Sequence, residues 1–420
     1  MSSTGGFEQL MGYGEARARL RERCSSHGRT EERLLDDACG RVAAQSVEAA
    51  RPVPHEDRAA VDGVAVRASD TFAASGRSPV RLAEASGPVA DGQGVPVQTG
   101  SPVPGGADAV LRVAGLERRS GELVVFESVS VGANVTRVGS DVAAGDQLVG
   151  AGDRFGPAEV ALARAAGHER VTVAERPQVD VLPTGDGLVE AHPGAGERVE
   201  TDGGMVASLA RRWGGEPTRR PTVPPETAQM ESAIEECLDA DILVTTGSTG
   251  VGERDRLPAV VSELGSVAVH GVALEPGRSV GVGSVSGTPV VLLPGERVAC
   301  YLAAVQFLRP ALAAIEGTTA RPFPTVRAEL DGKLPSEPGT RTFARVGLRR
   351  GNGKGEGHPD DDPTATDAGR VQAVPLQVGG ANRLSSVTTA DGWVEIPGQL
   401  EGVPAGETVT VQQWDRAGRL

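Results

Sequence analysis

The chain has 420 residues, with 42 basic and 56 acidic side chains and a formal net charge of −14. This length is sufficient for several domains with sizeable hydrophobic cores. The negative charge argues against nucleic acid or an anionic membrane as a partner. Because the sequence contains neither a run of about 18 apolar residues nor a signal-peptide pattern, we expect a soluble, cytoplasmic protein.

The first part of the chain changes from a helical pattern to a β pattern. Its N-terminal segment favours two helices, one over Glu15–Cys24 and a second that begins at Thr30 and ends near Gly40. From about residue 53 to 149, short β-type runs alternate with Gly and Pro, which predicts a mostly β domain. A short helix over Val160–Gly167 and a strand over Val171–Val173 are predicted to follow.

A different pattern begins at Arg176, where predicted strands alternate with amphipathic helices. The predicted strands are Val179–Leu182, Asp241–Thr246, Val267–Leu274 and Pro289–Leu293. The predicted helices cover residues 204–213, 230–238 and 257–264, followed by one from Val298 that stops at Arg309–Pro310. This alternation predicts an α/β domain with a largely parallel sheet.

Three loops follow strands of this predicted sheet, at Thr184–Asp186, Thr246–Asp255 and Pro294–Gly295. Because ligands of α/β sheets bind outside the carboxyl ends of the strands, we expect these loops to meet at one ligand-binding edge. The glycines of the longest loop permit a backbone that faces an anion. Taken alone, that loop is better explained as an ordinary glycine turn.

From about Arg321 onward the pattern is β again, interrupted by a polar, acidic stretch over residues 351–369. We interpret this stretch as a solvated hairpin loop, with a calcium site as the less favoured alternative. The 4 cysteines are far apart and form no C-x-x-C pair. Neither a disulfide framework nor a thiolate metal site is therefore expected.

Several segments match, in chain order, the motifs of one known family. The segments are Val53–Gly63, Thr99–Val110, Gly139–Asp141, Pro183–Asp186, Leu293–Gly295 and Arg341–Val346. On these motifs the chain resembles the molybdopterin molybdenumtransferase family (MoeA and the gephyrin E domain) over almost its whole length. The α/β motifs also occur in other proteins, whereas the β-domain motifs Val53–Gly63 and Thr99–Val110 point to this family.

The resemblance implies a multidomain α/β plus β protein whose elongated subunit has separate domains. They are an N-terminal linker domain (1–52 and 142–176), a mostly β domain (53–141), a molybdopterin-binding, MogA-like α/β domain (177–318) and a C-terminal β-barrel-like domain (319–420). The resemblance also implies a homodimer in which two subunits share each site. Contact with other enzymes of molybdenum cofactor biosynthesis is left open.

The implied reaction is insertion of molybdate into adenylylated molybdopterin, with release of AMP and dependence on Mg²⁺. The residues expected to be catalytic are Asp62, Thr99, Asp141, Asp186 and Asp255, of which Asp255 would hold the Mg²⁺. The residues expected to bind the cofactor precursor are Thr184, Gly185, Thr246, Gly247, Gly252, Arg278, Pro294 and Gly295.

Simpler roles remain open for several of these residues. Asp62 and Thr99 could each belong to an ordinary turn, and Asp141 could be a plain loop acid. Asp186 could cap a helix, and Asp255 could pair with a neighbouring arginine.

The chain also departs from the family pattern within the expected site. Gly187 stands where the family has a glutamate, Gly250 where it has a serine, and Glu275 where it has a lysine. Pro224–Pro225 replace a pair of acids. These changes leave two alternatives open, a catalytically impaired paralogue that binds molybdopterin or a partner enzyme as a scaffold, and an unrelated nucleotide-binding module.

Overall fold

The computed structural model describes Phe7 and residues 9–350, 371–376 and 383–414. The chain divides into two compact units. Thr30–Ala174 forms the inserted unit, and Met1–Arg29 with Glu175–Leu420 forms the main unit. The acidic stretch at 351–369 lies outside the described residues, so its predicted hairpin and the calcium alternative stay predictions.

A six-stranded sheet is the centre of the inserted unit. Its strands lie in the order Ala109–Arg112, Gly63–Val66, Gln93–Val97, Val80–Glu84, Glu122–Val125 and Leu116–Arg119. Neighbouring strands are antiparallel except for Val80–Glu84 with Gln93–Val97. Small aliphatic side chains on one face of the sheet form a buried core. The predicted mostly β domain is thereby confirmed.

Paired short strands and one helix lie beside this sheet. The strand pairs are Thr30–Leu34 with Arg170–Ala174, Val47–Glu48 with Gln147–Val149, and Arg58–Ala59 with Val135–Thr136. Short 3₁₀ turns cover Leu35–Asp37, Ala68–Thr71 and Val113–Gly115. The helix Pro157–Ala165 begins with a proline, whose missing N–H has no partner at that position of a helix. This helix and the strand Arg170–Ala174 confirm the elements predicted there.

The main unit contains a six-stranded sheet of the α/β type. Its strands lie in the order Glu216–Arg219, Gln178–Pro183, Ile242–Thr246, Thr288–Leu293, Gly281–Val285 and Gly265–His270. The first four strands are parallel, and the last two join antiparallel. The predicted, largely parallel sheet is therefore confirmed.

Helices cover both faces of this sheet. One face packs against Tyr13–Arg21, Asp202–Arg212 and the long helix Arg297–Ile315, and the other against Thr227–Glu235 and Leu257–Leu264. Side chains alternate between the two cores along each strand, so that Ile242 and Val244 enter one core and Leu243 enters the other. This two-sided burial explains why the central strands are continuous apolar runs.

The C-terminal part of the main unit is a closed five-stranded barrel. Its strands are Thr325–Leu330, Arg341–Arg350, Val371–Pro375, Gly392–Ile396 and Thr408–Gln412. The barrel closes because Arg341–Arg350 pairs with Val371–Pro375 on one side and Gly392–Ile396 on the other. Leu274–Glu275 adds a parallel strand to this barrel. The shorter elements are the pair Leu334–Pro335 with Gly402–Val403 and the helix Ser385–Thr389.

The helix predicted to begin at Thr30 is wrong. Residues Thr30–Leu34 form a strand whose partner, Arg170–Ala174, is more than a hundred residues away. Leu35 then enters the core at the start of a short 3₁₀ turn. Local composition favoured a helix here, but the distant strand supplies a hydrogen-bonding partner that local sequence cannot reveal.

The strand predicted over Val267–Leu274 is two strands, Gly265–His270 and Leu274–Glu275, which belong to different sheets. The chain turns between them at Gly271, where φ is 89°. The sequence prediction also missed the strand Gly281–Val285, because glycines lower strand propensity. A Cβ on Gly283 would lie 2.4 Å from the Ser266 carbonyl oxygen, so close approach of backbones requires the glycine.

The last predicted helix does not stop at Arg309–Pro310. It continues to Ile315 through a π-helical turn at Ala304–Leu308. Pro310 has no N–H to donate to Gln306, and the wide turn before it accommodates the ring. The helix Arg297–Ile315 is apolar and long enough to span a membrane, but 83% of it is buried inside the protein. It is a core helix of the main unit.

Candidate functional site

Three loops meet at the carboxyl ends of the parallel strands in the main unit. The Thr184 N–H donates a hydrogen bond to the Thr246 carbonyl oxygen at 2.8 Å. The Gly247 N–H donates to the Leu293 carbonyl oxygen at 3.0 Å, next to the loop that contains Gly295. Each loop is therefore fastened to the end of the neighbouring strand, as the sequence pattern predicted.

Glycine allows these loops to touch one another. Gly247 has a φ of 86°, and a Cβ added to it would lie 2.3 Å from the Thr184 carbonyl oxygen. A Cβ on Gly295 would lie 3.1 Å from the Gly247 Cα. The backbones approach more closely here than side chains would permit, and the loops form a continuous wall.

This wall encloses one side of a cleft of about 650 Å³. The size is typical of pockets that bind small molecules or nucleotides. Its lining residues include Thr184, Gly185, Asp186, Gly187, Arg198, Glu200, Asp202, Pro225, Thr246, Gly247, Ser248, Arg254, Asp255, Gly295 and Arg297. The backbone of the glycine loops therefore faces the same space as the arginine and carboxylate side chains.

Asp255 is held by its own loop. Its Oδ2 accepts a hydrogen bond from the Gly252 N–H at 3.0 Å, and its N–H donates to the Gly252 carbonyl oxygen at 2.9 Å. The adjacent Arg254 pairs with Asp186 across the cleft mouth at 3.3 Å, where both side chains are largely exposed. An exposed pair of this kind contributes little stability, so both side chains are available to a ligand.

Next to the helix Asp202–Arg212, the cleft is supported by a partly buried ion pair. Glu200 is 8% exposed, and its carboxylate accepts hydrogen bonds from the Gly203 N–H at 2.6 Å and from Arg219 at 2.6 and 3.1 Å. Arg219 also binds both carboxylate oxygens of Glu190, at 2.7 and 2.9 Å. These contacts fix the first turn of the helix Asp202–Arg212 against the strand Glu216–Arg219.

Asp202 begins that helix and lines the cleft. Burial, together with the charge of Glu200, raises the pKa of its carboxyl group to about 6. Arg297 opposes this shift and also donates from Nε to the Thr201 hydroxyl at 3.1 Å. Asp202 is therefore the cleft acid with a resolved pKa near neutrality.

A second group of charges lies where the strand Leu274–Glu275 joins the barrel. We call Glu275, Arg278, Glu337 and Arg345 the charged cluster. Arg278 forms an ion pair with Glu337 at 2.8 Å. Burial raises the pKa of Glu275, although the residue keeps an exposed face, and Arg278 and Arg345 oppose the rise. Glu296, between the cleft residues Gly295 and Arg297, also raises the pKa of Glu275 through its charge, so the cluster lies near the cleft wall.

Arg345 is the most unusual member of the charged cluster. It is only 4% exposed, and its Nε has no hydrogen-bond partner within the described part of the chain. Burial lowers the pKa of its guanidinium, and the charge of Glu275 opposes that shift. A buried cation with an unpaired N–H is costly unless an anion completes its contacts.

In the inserted unit, the structure brings Asp62 and Thr99 into contact. Asp62 Oδ1 accepts hydrogen bonds from the Thr99 N–H at 2.7 Å and the Thr99 hydroxyl at 2.9 Å. These two bonds hold the pKa of the exposed Asp62 below its usual value. Asp141 lies on a loop and has an exposed side chain. The Asp141 N–H donates a hydrogen bond to the Val53 carbonyl oxygen at 3.0 Å.

The cleft contains seven of the predicted site residues, namely Thr184, Gly185, Asp186, Thr246, Gly247, Asp255 and Gly295. Pro294 is buried next to Gly295, Gly252 supports Asp255, and Arg278 belongs to the charged cluster. The catalytic and binding roles assigned to all of these residues stay predictions.

The sequence prediction did not include Arg198, Asp202, Arg297 or Arg345 among the site residues. For Arg345 a signal existed, since it interrupts the buried run Thr342–Val346 in a barrel strand. Arginine side chains are seldom fully buried unless they pair with another polar or charged group. For the other residues no local pattern distinguishes them from solvated surface charges.

Mg²⁺ is the metal that the family resemblance implies. The part of the chain that the structure describes has no group of three or more His, Cys, Asp or Glu side chains able to hold a metal ion. One carboxylate oxygen of Asp255 already binds the Gly252 N–H, which leaves Oδ1 for a metal. Because Mg²⁺ is commonly held by one or two carboxylates together with substrate phosphates, these residues fit a cation that the ligand completes.

Models of protein families match three segments of the chain. The MoeA N-terminal region (domain I and II) matches residues 11–167, a probable molybdopterin binding domain matches 180–314, and the MoeA C-terminal region (domain IV) matches 363–414. The cleft lies within the second segment. The fold and the site therefore define a multidomain protein built around an α/β domain of the molybdopterin-binding type.

Whole-chain relatives narrow this class. The chain is 30% identical to molybdopterin molybdenumtransferase 2 of Mycobacterium tuberculosis, with 91% of this chain and 94% of the relative aligned. It is 28% identical to the molybdopterin molybdenumtransferase of Bacillus subtilis, over 91% and 90% of the two chains. The crystal structure of a MoeA protein of molybdopterin biosynthesis from Pyrococcus horikoshii superposes with a TM-score of 0.78 at 30% identity, covering 96% of this chain and 99% of that one.

The chain belongs to the molybdopterin molybdenumtransferase (MoeA) family, whose members act in molybdenum cofactor biosynthesis. Family membership excludes the alternative that the chain is an unrelated nucleotide-binding module.

Proposed function

We propose that this protein inserts molybdate into adenylylated molybdopterin and releases AMP. One observation carries the proposal: the glycine loops, Asp255 and several arginines line one open cleft of about 650 Å³ at the strand ends. The cleft is large enough for a nucleotide, and it combines anion-binding backbone with cationic side chains.

The phosphate groups of the adenylate would bind at the wall where two helices begin. The helices Asp202–Arg212 and Arg297–Ile315 start at cleft-lining residues. Helix N-termini present unpaired N–H groups and a partial positive charge, which favour phosphate. Arg198 and Arg297 line the same side and supply planar guanidinium donors.

Asp255 is the residue that would hold Mg²⁺ between its carboxylate and the phosphates of the bound ligand. When bound there, the ion would neutralise charge on the phosphates. Asp186 also lines the cleft and pairs across its mouth with Arg254, the neighbour of Asp255.

Arg345 would hold the molybdate. Its buried, unpaired Nε–H is a ready donor to an oxyanion, and Arg278 is already engaged by Glu337. Glu296 connects the charged cluster with the cleft wall, so an oxyanion at Arg345 would lie near a ligand in the cleft. Glu275 lowers the net positive charge of the cluster and so tunes its affinity for anions.

The alternative of a non-catalytic scaffold is less well supported. A scaffold with a degenerate site would be expected to have a closed pocket with Glu275 and Glu296 turned inward. The cleft is open, and neither glutamate is among its lining residues. We also propose, from family membership, a cytoplasmic homodimer that hands its product to other molybdenum cofactor proteins.

The direct test is AMP release from molybdopterin adenylate by the purified protein, with Mg²⁺ and molybdate present. We expect release that depends on molybdate. If the adenylate stays bound and no AMP appears above a buffer control, the transferase proposal is wrong and the scaffold alternative remains.

Asp255→Asn tests the proposed metal position. Asparagine keeps an oxygen to accept the Gly252 N–H but loses the charge that would attract Mg²⁺. We expect AMP release to be abolished, while AMP binding in EDTA, measured by calorimetry, is retained. Full activity in the variant would show that the metal is held elsewhere.

A further inference from the structure

Asp202 stands apart from the other acids of the cleft. Asp255 Oδ2 is occupied by the Gly252 N–H, and Asp186 is exposed and paired with Arg254. Asp202 is partly buried at the first turn of its helix, and Oδ1 has a long contact of 3.4 Å with the Thr201 hydroxyl. Among the residues that the structure describes, its carboxyl group therefore faces the cleft without a strong hydrogen-bond partner.

The surroundings of Asp202 are fixed by hydrogen bonds between neighbouring residues of the protein itself. Behind it, Glu200 is locked between the Gly203 N–H and Arg219. In front, Arg297 donates to Thr201 at 3.1 Å and so orients the residue that contacts Asp202. Rigid elements hold a carboxyl group at a constant position in a site, as catalysis requires.

Charged and titratable groups face Asp202 from each neighbouring element. Glu200 raises its pKa, whereas Arg198 and Arg297 lower it. Cys300, on the same helix as Arg297, is fully buried, and the pKa of its thiol lies well above the usual value. The thiol therefore stays protonated near neutral pH, whereas Asp202 changes charge around pH 6.

We propose that Asp202 is the general base for hydrolysis of the adenylate, which rests on the function proposed above. The oxygen of a water molecule bonds to the phosphorus of the AMP moiety. The bond from that phosphorus to the bridging oxygen breaks, and this oxygen leaves with the phosphate of the pterin. The Asp202 carboxylate takes the proton of the attacking water, so the products are AMP and molybdopterin with its phosphate monoester.

The pKa and the position of Asp202 both suit a general base. A general base is most effective when its pKa lies near the working pH, because it is then ionised and still accepts a proton readily. The carboxylate lies at a helix N-terminus beside Arg297, and both favour its ionised form after the proton is passed to solvent. Asp202 is also next to Arg198 and Arg297, where the phosphates are proposed to bind.

The test is the pH profile of AMP release by the full-length protein. For the unchanged chain we expect kcat to fall below about pH 6 with a slope of one, since protonation of Asp202 removes the base. Asp202→Asn is expected to lower kcat by about 10²- to 10⁴-fold with little change in KM, and to lose this acid limb. Asp202→Glu should recover part of the rate and restore an acid limb.

The matched control is Asp239→Asn, an exposed aspartate outside the cleft, which should leave the profile unchanged. AMP affinity measured by calorimetry shows whether Asp202→Asn still folds and binds. If this variant binds AMP and keeps the acid limb and rate of the unchanged chain, Asp202 is not the base. If the unchanged chain releases no AMP at all, the proposed function fails and the base role fails with it.

Discussion

The cleft and the charged cluster belong to the same unit but are built from different materials. The cleft wall is backbone, brought together because glycines at 247 and 295 leave room for neighbouring chain. The charged cluster is side chains, with a buried Arg345 facing Glu275 and an ion pair between Arg278 and Glu337. The shape of the cleft depends on the absence of side chains at its glycines. The properties of the charged cluster depend on the net charge and the burial of its side chains.

This difference determines which changes each region tolerates. A steric change in the cleft has no route of relaxation, because the neighbouring atoms are backbone. A charge change in the cluster is expected to keep the fold and to alter the proposed affinity for anions, with an effect that salt weakens where the groups are exposed. The following variants test this contrast, beginning with the largest expected effect.

Gly247→Ala should abolish ligand binding in the cleft. The new Cβ would lie 2.3 Å from the Thr184 carbonyl oxygen at a φ of 86°, so the loops must separate. We expect AMP binding by calorimetry to disappear and stability to fall by at least about 2 kcal/mol.

Gly287→Ala is the control for this prediction. It has a φ of 91° but no atom within 4 Å of an added Cβ. It should cost about 1–2 kcal/mol from backbone strain and leave AMP binding intact. AMP binding by Gly247→Ala at the original affinity would show that the cleft wall does not depend on the close approach of glycine backbones.

Arg345→Met should weaken the response to molybdate and leave the fold intact. Methionine fills a similar volume, and removing a buried charge with an unpaired Nε is not expected to destabilise the barrel. The molybdate concentration for half-maximal AMP release should rise by about tenfold or more, because a charge-assisted contact is lost. The exposed Arg349→Met on the same strand should behave like the unchanged chain, and an equal effect of both variants would contradict the proposal.

Glu275→Gln should have the opposite and smaller effect. It removes a negative charge that faces Arg345, so the molybdate concentration for half-maximal release should fall by a few-fold. The difference from the unchanged chain should narrow at high salt, since Glu275 keeps an exposed face. Glu263→Gln, an exposed change on a helix, is the control, and a rise in the required molybdate would reverse the sign assigned to Glu275.

Asp202→Asn should stabilise the main unit at neutral pH. The folded state raises the pKa of Asp202 to about 6, so it binds a proton more tightly than the unfolded chain does. Ionisation above that pH therefore costs stability, by up to about 3 kcal/mol and, after allowing for partial exposure, about 1–2 kcal/mol. Urea unfolding followed by tryptophan fluorescence should show this gain at pH 7–8, and the gain should vanish below about pH 4. A gain that persists at low pH would have a different cause.

Much of the architecture follows from local sequence. The apolar run Ile242–Val244 and the amphipathic helix Leu257–Leu264 were predicted as they occur, because period and burial agree there. Thr30–Leu34 was not, because it is a strand only through a partner more than a hundred residues away, and Gly281–Val285 was not, because its glycines lower strand propensity. The helix was predicted to end at Arg309–Pro310, because a proline usually ends a helix. The π-helical turn that accommodates Pro310 leaves no signal in the local sequence.

By itself, the sequence determined the family, the three central parallel strands of the α/β domain with the helices between them, and the loops that carry Thr184, Gly247 and Gly295. Those features depend on residues that are close in the chain, where glycine, periodicity and turns act directly. Only the tertiary structure decided that Asp202 lies near Arg297, and that Arg345 is buried near Glu275. Burial and electrostatic interactions between distant segments arise from packing, and no local pattern of residues contains them.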